Sequence, residues 1–122
     1  MIGNIISAIG GLAFIAIGVA AIVAPRGSSG QYGLATTDAT ALAFVRALGV
    51  RDVVLGLIVL ALLVDGQTVA LTFVLAISIL AAAGDALTVL LTRRDAKFQT
   101  IGVHVGGGVA LAIAWALVRA GW

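Results

Sequence analysis

Four ionisable side chains fall inside otherwise apolar stretches of this chain: Arg51 and Asp52 in one, Asp85 in the next and His104 in the last. Placing charge in hydrocarbon costs about 2.5–3.5 kcal/mol per residue on insertion scales, so such groups pair, line a cavity, carry ions or do chemistry. Two carboxylates, a guanidinium and an imidazole in a low-dielectric pocket form an acid/base set. Burial favours a neutral carboxyl and a neighbouring Arg favours its anion. Two aspartates in unequal surroundings can therefore divide into a proton donor and a proton acceptor.

The elements that must hold these groups follow from composition. With 122 residues, 62% hydrophobic and 10% charged, and a mean hydropathy of +1.25, the chain is too apolar for an ordinary soluble domain. Apolar blocks at about 5–24, 41–64, 69–91 and 99–119 each suffice, at 1.5 Å rise per residue, to cross a hydrocarbon core about 30 Å thick. The expectation is an all-α, integral membrane four-helix bundle forming a single domain over 1–122. The first block reads as a span and not a signal peptide, because no Lys or Arg precedes it and no small-x-small site follows. Cys is absent, which excludes disulfides, thiolate nucleophiles and cysteine-bound metals. One His adds too few ligands for a metal site, and no cofactor is expected. Seven Lys and Arg against five acidic residues make neither a nucleic-acid surface nor a polybasic tail.

The first connection, 25–38, is long and rich in Gly, Ser and Thr. Pro25 stops the first helix, Asp38 or Thr40 is available to cap the second, and the segment is placed to cover a cavity mouth. Asp65-Gly66-Gln67 is a minimal turn that makes the second and third spans antiparallel neighbours. Arg26, Arg93, Arg94 and Lys97 lie on one side, against Arg119 on the other. The positive-inside rule then puts both termini outside, with a bacterial cytoplasmic membrane as the expected location.

Chain direction gives depth. Arg46 lies about 5–8 Å and Arg51 about 12–15 Å into the second span, while Asp85 and His104 lie about 9 Å from the same side. All share one half of the bilayer with Asp52. Arg51 and Asp52 diverge by about 100° around the helix and need not pair with each other. Asp85 shares a face with Ser78, Ala81, Thr88 and Thr92, a stripe suited to a wet pocket. His104 has Thr100, Gly107, Gly108 and Leu111 on its side, where the glycines leave room beside the ring. Arg46, Thr88 and Gly108 are the candidate substrate contacts.

Blander readings stand beside these. Arg51 with Asp85 or Asp52 equally describes an interhelical ion pair that fixes register. Arg46 is shallow enough to snorkel to headgroups, and His104 could satisfy a hydrogen bond to a neighbouring helix. Trp115, Trp122, Tyr32 and Phe98 read as interface anchors rather than substrate-stacking groups. Gly3/Gly10, Gly11/Gly18, Gly49/Gly56 and Gly102/Gly106 with Gly107 and Gly108 read as packing faces for close helix approach. No strand precedes them, as a phosphate loop would require.

By chemistry and not by fold, the Asp/Arg/Asp grouping resembles that of limonene-type epoxide hydrolases. There one carboxylate activates water, Arg bridges the pair, and the second carboxylic acid protonates the opening epoxide. Across nearly the whole chain, the run Arg46-Ala-Leu-Gly49-Val-Arg51-Asp52-Val-Val-Leu-Gly56, then Gly84-Asp85 and His104, resembles a bacterial and fungal family of small four-span membrane proteins. That family is catalogued as a domain of unknown function and is similar in outline to DoxX-like bundles. The resemblance implies that Arg46, Arg51, Asp52, Asp85 and His104 are its motif positions. Fungal members beside polyketide or terpenoid pathways imply lipophilic substrates.

The leading expectation is a membrane enzyme doing cofactor-independent acid/base chemistry on a lipophilic small molecule, most specifically epoxide hydrolysis or epoxide-opening cyclisation. Asp52 and Asp85 would be base and acid in either order, Arg51 the orienting cation and His104 an auxiliary donor. An isomerase would use the same residues. The expected partners are that substrate and membrane lipid. The competing expectation is a small proton-coupled transporter working as a homodimer; against it, the first span holds no acidic residue. A structural subunit is the third reading.

Overall fold

The computed structural model describes residues 1–92 and 98–122, the side chains of 98–101 and 103 excepted. Five helices follow one another: α1 (Ile2–Val23), α2 (Pro25–Gln31), α3 (Ala39–Val64), α4 (Thr68–Thr92) and α5 (Phe98–Arg119). The four apolar blocks of the sequence become α1, α3, α4 and α5, with ends moved by at most three residues. Among the described residues the protein is all-α. Helices α1, α3 and α4 are long and apolar enough to cross a membrane, and the described apolar stretch of α5 is His104–Arg119. The basic residues Arg93, Arg94 and Lys97 and the side chains of Phe98 and Thr100 lie outside the described residues.

Local chemistry explains the element ends. Asp38 caps α3, its Oδ1 accepting from the Ala41 N–H at 2.8 Å, which satisfies one of the donors that a helix start leaves free. Asp38→Ala is expected to lower the unfolding free energy by about 1 kcal/mol, measurable by thermal unfolding in detergent. At the α3–α4 turn Gly66 takes φ +67°, a left-handed conformation that glycine adopts without a Cβ clash.

The connection after α1 contains a helix that its Gly and Ser content does not announce. Pro25 occupies the first turn of α2, where a fixed φ helps and a missing N–H costs nothing. Ser29 is fully buried. Its hydroxyl donates to the Arg26 carbonyl at 2.8 Å and accepts from the Thr36 N–H at 3.3 Å, stitching the segment together. Gly33 at φ +82° then lets the chain reverse immediately after Tyr32.

Packing is uneven around the bundle. Helix α1 lies closest on α3, α4 on α5, and α1 also meets α5, whereas α3 and α4 touch sparsely despite the tight turn between them. Gly18 and Gly49 face each other: a Cβ on Gly18 would stand 2.5 Å from the Gly49 carbonyl oxygen, and one on Gly49 2.6 Å from that of Gly18. Gly11 and Gly56 repeat the contact two turns away. The packing role expected of these glycines is therefore met, by backbone-to-backbone approach. Gly102, Gly106 and Gly107 differ: a Cβ on any of them would meet nothing within 4 Å, so they pack no helix among the described residues.

The apolar core joins Val59, Leu71, Leu75, Leu111, Ala114 and Val118, toward the α3–α4 turn. Large apolar side chains such as Phe44, Phe73, Leu80 and Leu91 point outward and are more than two-thirds exposed or close to it, a surface suited to lipid rather than water. Polar hydroxyls inside the helices are answered locally: Ser7 donates to the Gly3 carbonyl and Ser78 to that of Val74. In a medium without water such groups must be satisfied within the protein.

Candidate functional site

The charged groups that meet inside the bundle lie away from the α3–α4 turn. Arg51 and Asp52 come from the middle of α3 and Asp85 from α4. The Arg51 Nη2 donates to Asp52 Oδ1 and to Asp85 Oδ2, both at 3.0 Å, and its Nε donates to Asp52 Oδ1 at 3.1 Å. One guanidinium thus bridges two carboxylates on different helices. The sequence reading left the pairing of Arg51 with Asp52 open, because adjacent residues diverge around a helix. The pairing forms because the Arg side chain is long enough to fold back around α3.

The two carboxylates have different surroundings. The Asp52 side chain is 6% exposed and that of Asp85 35%. Asp52 holds three donors: two from Arg51 on Oδ1, and the Tyr32 hydroxyl on Oδ2 at 3.3 Å. Asp85 accepts on Oδ2 alone among the described residues, and it lines the same cavity as Asp52.

Tyr32 is the site residue that sequence reasoning missed, having been read as an interface anchor. It sits just after α2, and its ring also stacks on His104, with centroids 6.0 Å apart and planes inclined by 20°. Burial, and then the Asp52 carboxylate it donates to, push its hydroxyl up to about 12. Tyr32 therefore remains a donor through ordinary pH. Because the chain has one tyrosine, phenolate absorbance reads it directly, and its midpoint is expected near 12 in the folded protein and near 10 after unfolding. The native state keeps a proton that the unfolded chain releases, so this contribution to stability is complete below pH 10 and fades as pH rises through about 12.

His104, on α5, is half-buried, and its Nε2 is buried with no hydrogen-bond partner among the described residues. An unanswered buried ring nitrogen is uncommon and calls for an explanation such as a ligand or catalytic role. Tyr32, Arg51, Asp52, Asp85 and His104 line a cavity of about 110 Å³ whose remaining walls include Phe14, Ile17, Leu55 and Leu111. A second pocket of about 80 Å³ shares Tyr32, Arg51, Asp85 and His104 and reaches Thr88.

Residues 11–119 match the family described as Domain of unknown function (DUF4267). The chain belongs to that family. The DUF4267 match runs from within α1 to the last residue of α5 and so contains every element of the site. No curated protein and no solved structure matches the chain.

Of the residues singled out in this DUF4267 chain, Arg51, Asp52, Asp85 and His104 come together, with Ser78, Ala81, Gly107 and Leu111 in the same cavity walls. Thr88 lies at the edge, exposed, its hydroxyl donating to the Gly84 carbonyl at 2.8 Å. Gly108 faces a separate hollow between α4 and α5 that also touches His104. Arg46 is apart: it is exposed and lines a hollow with Pro25, Arg26 and Leu42. Depth along α3 placed it shallower than Arg51, and its direction around the helix carries it to another side.

Proposed function

We propose that the chain is a four-span membrane protein, both termini outside, that performs cofactor-independent acid/base chemistry on a lipophilic small molecule, most specifically epoxide hydrolysis or epoxide-opening cyclisation. The observation that carries this reading is the single Arg51 Nη2 bridging Asp52 and Asp85 at 3.0 Å each. One cation against two carboxylates leaves the apolar chamber one negative charge in excess. A proton on one carboxylate removes that excess, since like charges in a low-dielectric site do not both persist.

The hydrogen bonds divide the roles. Asp52, already accepting from Arg51 and Tyr32, is the anion and base. Asp85, which accepts from Arg51 alone among the described residues, serves in this scheme as the acid. Water in the cavity loses a proton to Asp52 as its oxygen attacks an epoxide carbon. The C–O bond breaks, and the departing oxygen takes the proton of Asp85. The product is a vicinal diol, and proton transfer from Asp52 to Asp85 through cavity water resets the pair. An internal hydroxyl in place of water gives a cyclic ether. Arg51 holds both carboxylates at fixed separation, and His104 Nε2 offers a hydrogen bond to the substrate oxygen.

Purified protein in lipid nanodiscs, given a panel of lipophilic epoxides in heavy-oxygen water, tests this reading. Diol carrying one heavy oxygen per turnover supports hydrolysis. Unchanged epoxides together with proton flux through reconstituted vesicles would replace it with transport.

A further inference from the structure

A groove of about 210 Å³ runs between α1 and α5, its lining wholly apolar and including Ile6, Ile9, Phe14, Ile17, Gly107 and Ala110. Along α1 the lining runs from Ile6 to Ile17, eleven residue steps or about 16 Å at 1.5 Å per residue. It is continuous with the charged chamber, because Phe14, Ile17, Gly107 and Leu111 line both. At the junction stands Gly107, where a Cβ would meet nothing within 4 Å. A glycine inside a helix is unfavourable relative to Ala, and among the described residues no close helix contact offsets that. At the chamber end, His104 Nε2 is buried without a partner among the described residues.

We infer that this groove seats the apolar body of the substrate while its oxygen-bearing end lies among Arg51, Asp85 and His104, and that Gly107 sets whether a long tail is accepted. The inference rests on the acid/base reading for the reacting end. The substrate class it names is a slender lipophile, a straight chain or a linear polyene, with its oxygen near one terminus. A bulky fused-ring body does not fit a strip between two helices. The continuity of groove and chamber calls for a molecule with a polar terminus at the chamber end, where His104 Nε2 lies, and the methyl end of a lipid tail offers none.

The probe is a straight-chain 1,2-epoxide carrying a photoreactive diazirine at the far end of its tail, crosslinked to the protein in nanodiscs and mapped by peptide mass spectrometry. In the wild type, crosslinks are expected on the α1–α5 strip around Ile6, Ile9 and Ala110. Gly107→Leu, which places a side chain in the passage, is expected to reduce them about tenfold while helicity and membrane insertion stay unchanged, with Gly107→Ala in between. Crosslinks spread evenly over the outward faces of the wild type would overturn the groove, whether or not diol forms. Crosslinks confined to the strip without diol would keep the groove and remove the epoxide reaction. If Gly107→Leu does not insert, wild-type mapping alone decides the matter, and a shorter probe ending near Ile17 should shift the crosslinks toward the chamber.

Discussion

Asp85→Asn is expected to lower epoxide turnover by about 10²–10⁴-fold, the range typical of removing one positioned acid or base, while leaving a folded, membrane-inserted protein. The substitution retains an acceptor for the Arg51 Nη2, now at 3.0 Å from Asp85 Oδ2, but it has no carboxylic proton to deliver to the departing oxygen. Native mass spectrometry of the two proteins side by side provides the check. Unconverted epoxide should accumulate on the variant and diol should leave the wild type. Full activity in Asp85→Asn would remove Asp85 from the mechanism. Loss of insertion or a changed oligomeric state, with no change in turnover per folded molecule, would make the bridge a register-fixing ion pair instead.

Gly49→Val is expected to be the most damaging single change to the fold. A Cβ at Gly49 meets the Gly18 carbonyl oxygen at 2.6 Å, the Ala21 Cβ at 2.9 Å and Ile22 Cγ1 at 3.0 Å. The first of these belongs to backbone and cannot rotate away. Helices α1 and α3 must therefore separate, and overpacking of this kind costs about 1–3 kcal/mol or more. Helix separation also shifts Phe14 and Ile17 on α1 away from the chamber they wall, so turnover should fall with stability. Thermal unfolding in detergent measures the first effect. Gly84→Ala is the control: Gly84 has nothing within 4 Å of a Cβ and no positive φ, so the helix-propensity gain should leave stability unchanged or slightly raised.

The parts of this architecture that repeat along a helix were readable from the chain. Apolar blocks of membrane length became helices, Asp38 proved to be the cap, and Gly49 and Gly56, two turns apart, had to lie on one face. Depth arithmetic put Arg51, Asp52, Asp85 and His104 near one level, and the four line one cavity. It gave Arg46 as shallower than the rest, and depth along an axis says nothing about direction around it. Whether Arg51 and Asp52 pair stayed open, because Cα directions do not report how far a guanidinium can curl. Tyr32 was out of reach for a different reason. Its place depends on α2, held by Pro25, the buried Ser29 and the left-handed Gly33, a set of individually weak local signals in a segment that lacks hydrophobic periodicity. Gly107 was read with the packing glycines because a missing side chain looks the same in sequence whether a helix or a void takes its place.

The sparse meeting of α3 and α4 divides the molecule into adaptable and inflexible parts. Residues that hold the helix pairs together, Gly18 against Gly49 and Gly11 against Gly56, lie on the α1–α3 seam. Those that shape what the chamber admits include Leu55 on α3 and Ala81 on α4, the two helices that meet sparsely. Exchanges among small and medium side chains there alter the outline of the chamber without forcing glycine-packed backbones apart. A lineage built on this scaffold can therefore diversify its ligands by a few substitutions at such positions while its glycine seam stays fixed.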